Sequence, residues 1–149
     1  MSTSSTNWPY SQEQIMDLFQ AHGIQCTQQR LDIALLLFRQ PQHMSADEIM
    51  MRVNQTGQVS KATVYNTLGL FAEKGLVREV IVDPSRVFYD SNLGMHHHFY
   101  NIDTGLLTDI ETDKLNLTQL PVLPEDTAIE GIDVIVRIRS TRSLSQENT

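Results

Sequence analysis

The chain has 149 residues, of which 40% are hydrophobic and 19% are charged, and this globular composition excludes a large multidomain enzyme and a chain disordered throughout. Its single cysteine, Cys26, excludes an internal disulfide and a zinc site of four thiolates. The net charge of −7 argues at first against nucleic-acid binding, which requires clustered basic side chains. Because no apolar run matches a membrane span and the N-terminus lacks signal-peptide features, we expect a cytoplasmic protein with no membrane partner.

Helical spacing dominates the first half of the chain, where we predict four short helices. Each follows a residue that can cap a helix: Ser11, Thr27, Ser45 and Ser60. The fourth helix carries Val64, Leu68 and Phe71 on one face and ends at Gly75. Two runs of β-branched and aromatic residues follow, at 76–82 and 86–90. A turn-forming Asp-Pro-Ser sequence separates them, so together they predict a hairpin. Helices followed by such a hairpin are typical of a winged helix-turn-helix.

The second half contains strand-like patterns at 96–102, 106–110 and 132–139, with one short helix expected around 117–129. Three strands and one helix form a thin core. We therefore expect this segment to pair with a second copy, which makes the protein a homodimer.

The fourth helix leaves groups that can contact bases away from its apolar face. Recognition helices contact base edges near their N-terminus, where Lys61, Thr63, Tyr65 and Asn66 lie. Tyr65 is suited to a thymine methyl, Asn66 to a base or backbone oxygen, and Lys61 to a phosphate of double-stranded DNA. From the pattern alone, a solvated face of a small helical bundle is an equal alternative.

Histidines and aspartates form the second candidate site. His96 and His98 share one face of a strand, and His97 projects from the other. The other candidate ligands are His43, Asp90 and Asp109. With His96 and His98 they would give one metal ion three nitrogen and two oxygen ligands. This shell suits Fe(II), Mn(II), Zn(II) or Co(II), and its alternative is an exposed polar strand end.

Enzyme function has little support in the sequence. There is no His-Glu-x-x-His motif, no phosphate-binding glycine loop and no nucleophile motif. A metal-dependent hydrolase using the same ligands remains a remote alternative. We therefore predict that the protein is not an enzyme.

Three segments of the chain resemble the ferric uptake regulator superfamily. They are TQQRL at 27–31, HMSA at 43–46, and ATVYNTL at 62–68 with GLV at 75–77. The resemblance implies a homodimeric winged-helix repressor with a C-terminal α/β dimerisation domain and a regulatory metal between its domains. It assigns the metal ligands to the five residues above and DNA contact to the helix of Tyr65, with Arg30 in support. Many relatives carry two Cys-x-x-Cys pairs for structural zinc, and this chain has neither.

Within the superfamily the chain is most similar to iron response regulators, through FYDSN at 88–92, HHHFY at 96–100 and DVIVRIR at 133–139. That branch is associated with haem, which would involve His97 or its neighbours, but the Cys-Pro haem motif of some members is absent. Peroxide-sensing relatives use a similar site of three His and two Asp. In them, a ligand histidine is oxidised and DNA is released.

These inferences combine into an α+β protein that regulates transcription of iron and haem homeostasis genes in response to iron. A peroxide-sensing repressor is the alternative. We expect a winged-helix DNA-binding domain at 1–83, a hinge at 84–92, an α/β dimerisation and metal-sensing domain at 93–140, and a flexible tail at 141–149. Fe(II) is the expected metal, with Zn(II) or Mn(II) as alternatives in the same site, and the absence of the Cys-Pro motif argues against haem.

Overall fold

The computed structural model describes residues 8–94 and 96–141, so all but the first residue of the predicted tail lies outside the described ranges. The chain divides into an N-terminal unit that ends at Leu93 and a C-terminal unit that begins at Gly94. The N-terminal unit contains α1 (Gln12–Ala21), α2 (Gln28–Leu37), β1 (His43–Ser45), α3 (Ala46–Val53), α4 (Lys61–Glu73), β2 (Arg78–Asp83) and β3 (Arg86–Asp90). The C-terminal unit contains β4 (His97–Asn101), β5 (Leu107–Ile110), a short 3-10 helix (Thr112–Lys114) and β6 (Ile135–Ile138). Among the described residues, no helix is both long and apolar enough to cross a membrane.

All four helices begin where the capping residues predict. Ser11 accepts from the Gln14 amide while the Gln14 side chain accepts from the Ser11 amide, which completes a capping box. The side chains at the other three starts, Thr27, Ser45 and Ser60, accept an amide three residues later. Gly23 and Gly75 follow α1 and α4 with φ of +68° and +82°, a left-handed conformation that glycine adopts without strain.

The helices enclose one apolar core in the N-terminal unit. Its fully buried members come from every helix and include Ile15, Phe19, Ile33, Leu37, Ile49, Val64, Leu68 and Phe71. The rings of Phe19 and Phe71 lie 5.5 Å apart between centroids. Since the predicted apolar face of α4 is the buried one, the opposite face of this helix is exposed.

The sheet of the N-terminal unit has the antiparallel order β1-β3-β2. β2 and β3 are the predicted hairpin, and β1 is a third strand that the sequence patterns did not indicate. The hinge expected at 84–92 is not a separate segment, because Arg86–Asp90 is the central strand of this sheet. Phe88 and Tyr89 on that strand are buried, and this burial explains why it belongs to the N-terminal unit.

The C-terminal unit contains a sheet of order β5-β4-β6, in which β4 pairs antiparallel with β5 and parallel with β6. The three predicted strands are present, although β6 is shorter than the predicted 132–139. The helix expected around 117–129 is wrong: within 96–141, which the structure describes continuously, that stretch contains no helix. Pro121 and Pro124 remove two backbone donors there, and Val122 is 97% exposed, so neither hydrogen bonds nor packing would support a helix.

Candidate metal centre and nucleic-acid surface

Three of the five predicted metal ligands converge in the C-terminal unit. His98 on β4 lies directly opposite Asp109 on β5, and His96 precedes His98 by two residues. The Nε2 atoms of His96 and His98 each lie 3.3 Å from the same oxygen, Oδ1 of Asp109. The two imidazole centroids are 4.7 Å apart. Sheet geometry therefore brings two nitrogens and one oxygen to a single point.

The hydrogen bonding of His96 orients its ring as in a metal ligand. Its Nδ1 lies 2.8 Å from the carbonyl oxygen of Gly94. A carbonyl oxygen only accepts, so Nδ1 carries the hydrogen and Nε2 faces Asp109. Histidine ligands commonly donate their second N–H to a carbonyl in this manner.

The spacing of these donors fits a divalent cation. Ligand bonds of about 2.1 Å in a tetrahedral shell separate neighbouring donor atoms by about 3.4 Å, close to the observed 3.3 Å. Candidate ligand atoms from all three residues lie within 4.8 Å of one another. Without a cation or a proton between them, two imidazole lone pairs would face a carboxylate, which is repulsive. The spacing and the chemistry of these three donors therefore both suit a divalent metal such as Fe(II), Mn(II), Zn(II) or Co(II).

The remaining two predicted ligands lie together in the N-terminal unit. His43 on β1 is the direct antiparallel partner of Asp90 on β3, so the two side chains project from the same face. Asp90 is 1% exposed and accepts the Asn92 amide at 2.8 Å. Arg78 on β2 is its partner on the other side. A carboxylate buried this deeply requires compensating charge, which a cation or a guanidinium supplies.

His97 has a different environment from its two neighbours. It projects from the opposite face of β4, and its Nδ1 accepts the Val134 amide at 3.0 Å. This bond attaches the segment before β6 to the central strand. A structural role therefore accounts for this side chain, and only its Nε2 remains for the predicted haem or secondary metal contact.

The predicted DNA contacts lie at the start of α4. Lys61 and Asn66 are exposed, and Tyr65 is 41% exposed. The ammonium of Lys61 lies 5.7 Å from the centre of the Tyr65 ring. Thr63 is half-buried, and its hydroxyl accepts from Ser60 at 2.9 Å, so part of its hydrogen-bonding capacity is used by the helix cap.

Arg30 lies in the first turn of α2 and is half-buried. Its Nη1 donates to the backbone carbonyl of Gln25 at 2.8 Å. This contact fixes one side of the guanidinium while leaving other donors available. Arg30 therefore keeps donors for the supporting DNA contact that the resemblance implies.

A groove of about 470 Å³ borders Tyr65 and was not anticipated from the sequence. The start of α3 lines it with Asp47 and Glu48, and the turn of the β2–β3 hairpin lines it with Arg86. Tyr89 also lines the groove, and burial, and secondarily Glu79 and Tyr65, raise the pKa of the Tyr89 phenol. Asp47 follows a helix cap, and its position beside Tyr65 is visible only once α3 and α4 pack.

Comparison with known proteins shows which family the chain resembles. The Ferric uptake regulator family matches residues 21–136 of the chain. A Peroxide-responsive repressor PerR of Staphylococcus aureus is 34% identical over 106 residues, which cover 70% of this chain and 71% of that protein. The structure of the Ferric uptake regulator from Pseudomonas aeruginosa with manganese is similar with a TM-score of 0.66 at 24% identity, covering 85% of this chain and 97% of that one. The Ferric uptake regulator from Francisella tularensis with iron gives 0.64 at 16% identity, with coverages of 80% and 94%. At these identities the likeness to solved structures shows the fold.

Proposed function

The chain belongs to the ferric uptake regulator family of metal-dependent transcription regulators, and from this premise we propose a dimeric repressor whose affinity for operator DNA depends on a bound divalent cation. The convergence of His96 and His98 on Asp109 carries this proposal. It supplies a metal-binding donor set in a chain that also presents a helix-turn-helix with polar side chains at the start of α4. The family consists of regulators rather than enzymes.

We further propose that one cation takes ligands from both units, namely His43, Asp90, His96, His98 and Asp109. The positive charge of this cation would be distributed over the five ligand side chains. Each unit provides a rigid part of the set, because strand pairing holds His43 beside Asp90 and His98 beside Asp109. A cation bound by both parts restricts the orientation of the units, which couples metal binding to the separation of two α4 helices in a dimer.

Iron is the signal we propose, with Fe(II) as the metal and iron or haem homeostasis genes as targets. The imidazole and carboxylate donors are compatible with Fe(II), Mn(II) and Zn(II), so geometry and supply decide which metal binds. The similarity to iron response regulators at 88–92, 96–100 and 133–139 favours iron status as the input. Haem contact at His97 stays a prediction.

Peroxide sensing is the second candidate. It is favoured by the relative named as a Peroxide-responsive repressor, which shares 34% of its residues with this chain over 106 positions. Peroxide treatment of the Fe(II) form, followed by mass spectrometry of its peptides, separates the candidates. One added oxygen atom at His43 or His96, together with DNA release, supports peroxide sensing. Unmodified peptides leave iron as the signal.

A homodimer is part of the proposal because the C-terminal sheet has apolar side chains at its surface. Phe99 on β4 and Ile138 on β6 are 36% and 38% exposed, and Leu106, which precedes β5, is 61% exposed. Exposed apolar groups of this size on one small unit favour burial against a second copy.

The test compares metal content and operator binding of the parent with those of a His96→Ala, His98→Ala double variant. We expect the variant to lose regulatory metal and the metal dependence of DNA binding. His22→Ala is the control for loss of a histidine, since His22 caps the C-terminal end of α1 and its Nδ1 donates to the Leu18 carbonyl. A double variant that binds metal and DNA as well as the parent does would contradict the site.

A further inference from the structure

Asp47, at the start of α3, contacts the side chain that is the main candidate for reading DNA. The hydroxyl of Tyr65 donates to Oδ1 of Asp47 at 3.4 Å. We propose that Asp47 is a positioning residue: its carboxylate holds the Tyr65 phenol in the orientation that contacts the operator, and so contributes to sequence specificity. This inference rests on the proposed function of α4 in DNA binding.

Two contacts from different elements restrain Tyr65. Asp47 holds the hydroxyl from α3, and the Lys61 ammonium lies over the ring from one turn earlier in α4, 5.7 Å from its centre. An exposed tyrosine otherwise samples several rotamers. Restraint before binding reduces the conformational entropy lost on the DNA, which favours the one geometry that suits the correct bases.

The electrostatics of Asp47 make this role distinguishable from a general charge effect. A carboxylate beside a DNA-binding surface repels phosphate, so its presence weakens binding to every sequence. Neutralising it should therefore strengthen binding to all DNA. Losing the hydrogen bond to Tyr65 should instead weaken only the preference for the operator, because positioning matters where bases are read.

Two substitutions separate these effects. Asp47→Asn and Asp47→Ala remove the same charge, but only Asn retains a side-chain oxygen that accepts from the Tyr65 hydroxyl. Glu48→Gln and Glu48→Ala are the matched controls, because Glu48 lines the same groove and pairs with Arg52 at 3.2 Å. Each variant is checked by thermal unfolding. The probes are a duplex that the Mn(II)-loaded parent selects from a random pool and a scrambled duplex of the same length.

We expect both Asp47 variants to bind the scrambled duplex equally and more tightly than the parent. The ratio of selected to scrambled affinity should be about three- to tenfold lower for Asp47→Ala than for Asp47→Asn, the range expected from one hydrogen bond. The two Glu48 variants should have equal ratios. In a Tyr65→Phe background, which has no hydroxyl to hold, the difference between the Asp47 variants should disappear.

The outcomes distinguish this inference from the function on which it rests. If the parent enriches no sequence from the pool, the proposed function is wrong and the inference with it. If the parent enriches a sequence but Asp47→Asn and Asp47→Ala give equal ratios, the inference alone is wrong. A difference between them that persists with Tyr65→Phe also overturns it, because the effect then does not act through the phenol.

Discussion

Replacing Asp109 with asparagine tests the metal centre while leaving the protein fold in place. Asp109 is half-exposed, and its Oδ1 is the point on which the Nε2 atoms of His96 and His98 converge. Asparagine has nearly the same shape, so β5 should form normally. The substitution removes one unit of negative charge from the proposed donor set and leaves Asp90 as its one carboxylate, and a divalent cation binds more weakly to a set with fewer anionic donors.

The expected magnitude follows from the linkage between binding and folding. At a Mn(II) concentration about 100-fold above the dissociation constant, the metal adds about 2.7 kcal/mol to the free energy of unfolding of the parent. If Asp109→Asn weakens binding about tenfold, this contribution falls to about 1.4 kcal/mol at the same concentration. In a domain of about 60–100 residues each kcal/mol of unfolding free energy corresponds to about 4–8 °C in Tm. Roughly half of the metal-induced increase in Tm should therefore be lost.

The assay is thermal unfolding followed by circular dichroism, with and without Mn(II). Asp113→Asn is the control, because it removes an exposed carboxylate from the neighbouring 3-10 helix. The control should retain the full shift. An Asp109→Asn variant with the same metal-induced shift as the parent would refute the assignment of Asp109 as a ligand.

Three further predictions concern the N-terminal unit. Ser45→Ala removes the cap that accepts the Glu48 amide and should lower the free energy of unfolding by about 1 kcal/mol in urea titration, whereas Ser45→Asp should retain most of it. Leu68→Ala, at a fully buried site, should cost about 2–5 kcal/mol and abolish DNA binding through unfolding; a variant as stable as the parent would contradict the packing of α4. Burial raises the pKa of Tyr89 above 10.0, so its neutral phenol contributes stability below that pH, which is lost as the pH rises toward the folded-state pKa. Alkaline absorbance titration with Tyr89→Phe as reference should show one phenol ionising late, and its absence would contradict this burial.

Local features of the fold were predictable because their causes lie within a few residues. A cap such as Ser60 and the amide it binds are three positions apart, and the apolar face of α4 repeats within the helix itself. Strand β1 was missed because three residues carry no periodicity. The C-terminal helix was overpredicted because its apolar residues suggested packing, while Pro121 and Pro124 oppose helical hydrogen bonding.

The candidate site was predictable in its parts rather than in its contacts. The two-residue spacing of His96 and His98 places both rings on one face whatever the partner strand is. That Asp109 lies opposite His98 depends on the register of β5, which hydrophobic alternation constrains only to the correct face. The pairing of His43 with Asp90 depends on β1, a strand that no sequence pattern indicated.

Net charge was a poor guide to the nucleic-acid surface because affinity for phosphate depends on local charge. Within α4 the acidic residue Glu73 lies at the C-terminal end, about 18 Å along the axis from Lys61. Asp47 is an acidic residue that does lie beside the start of α4, since it comes from α3 and contacts Tyr65 directly. An acid at a phosphate-binding surface weakens binding to every DNA sequence, so a favourable role for Asp47 must come from something other than its net charge. Orienting the Tyr65 phenol is the contribution that we propose, and the Asp47 variants test it.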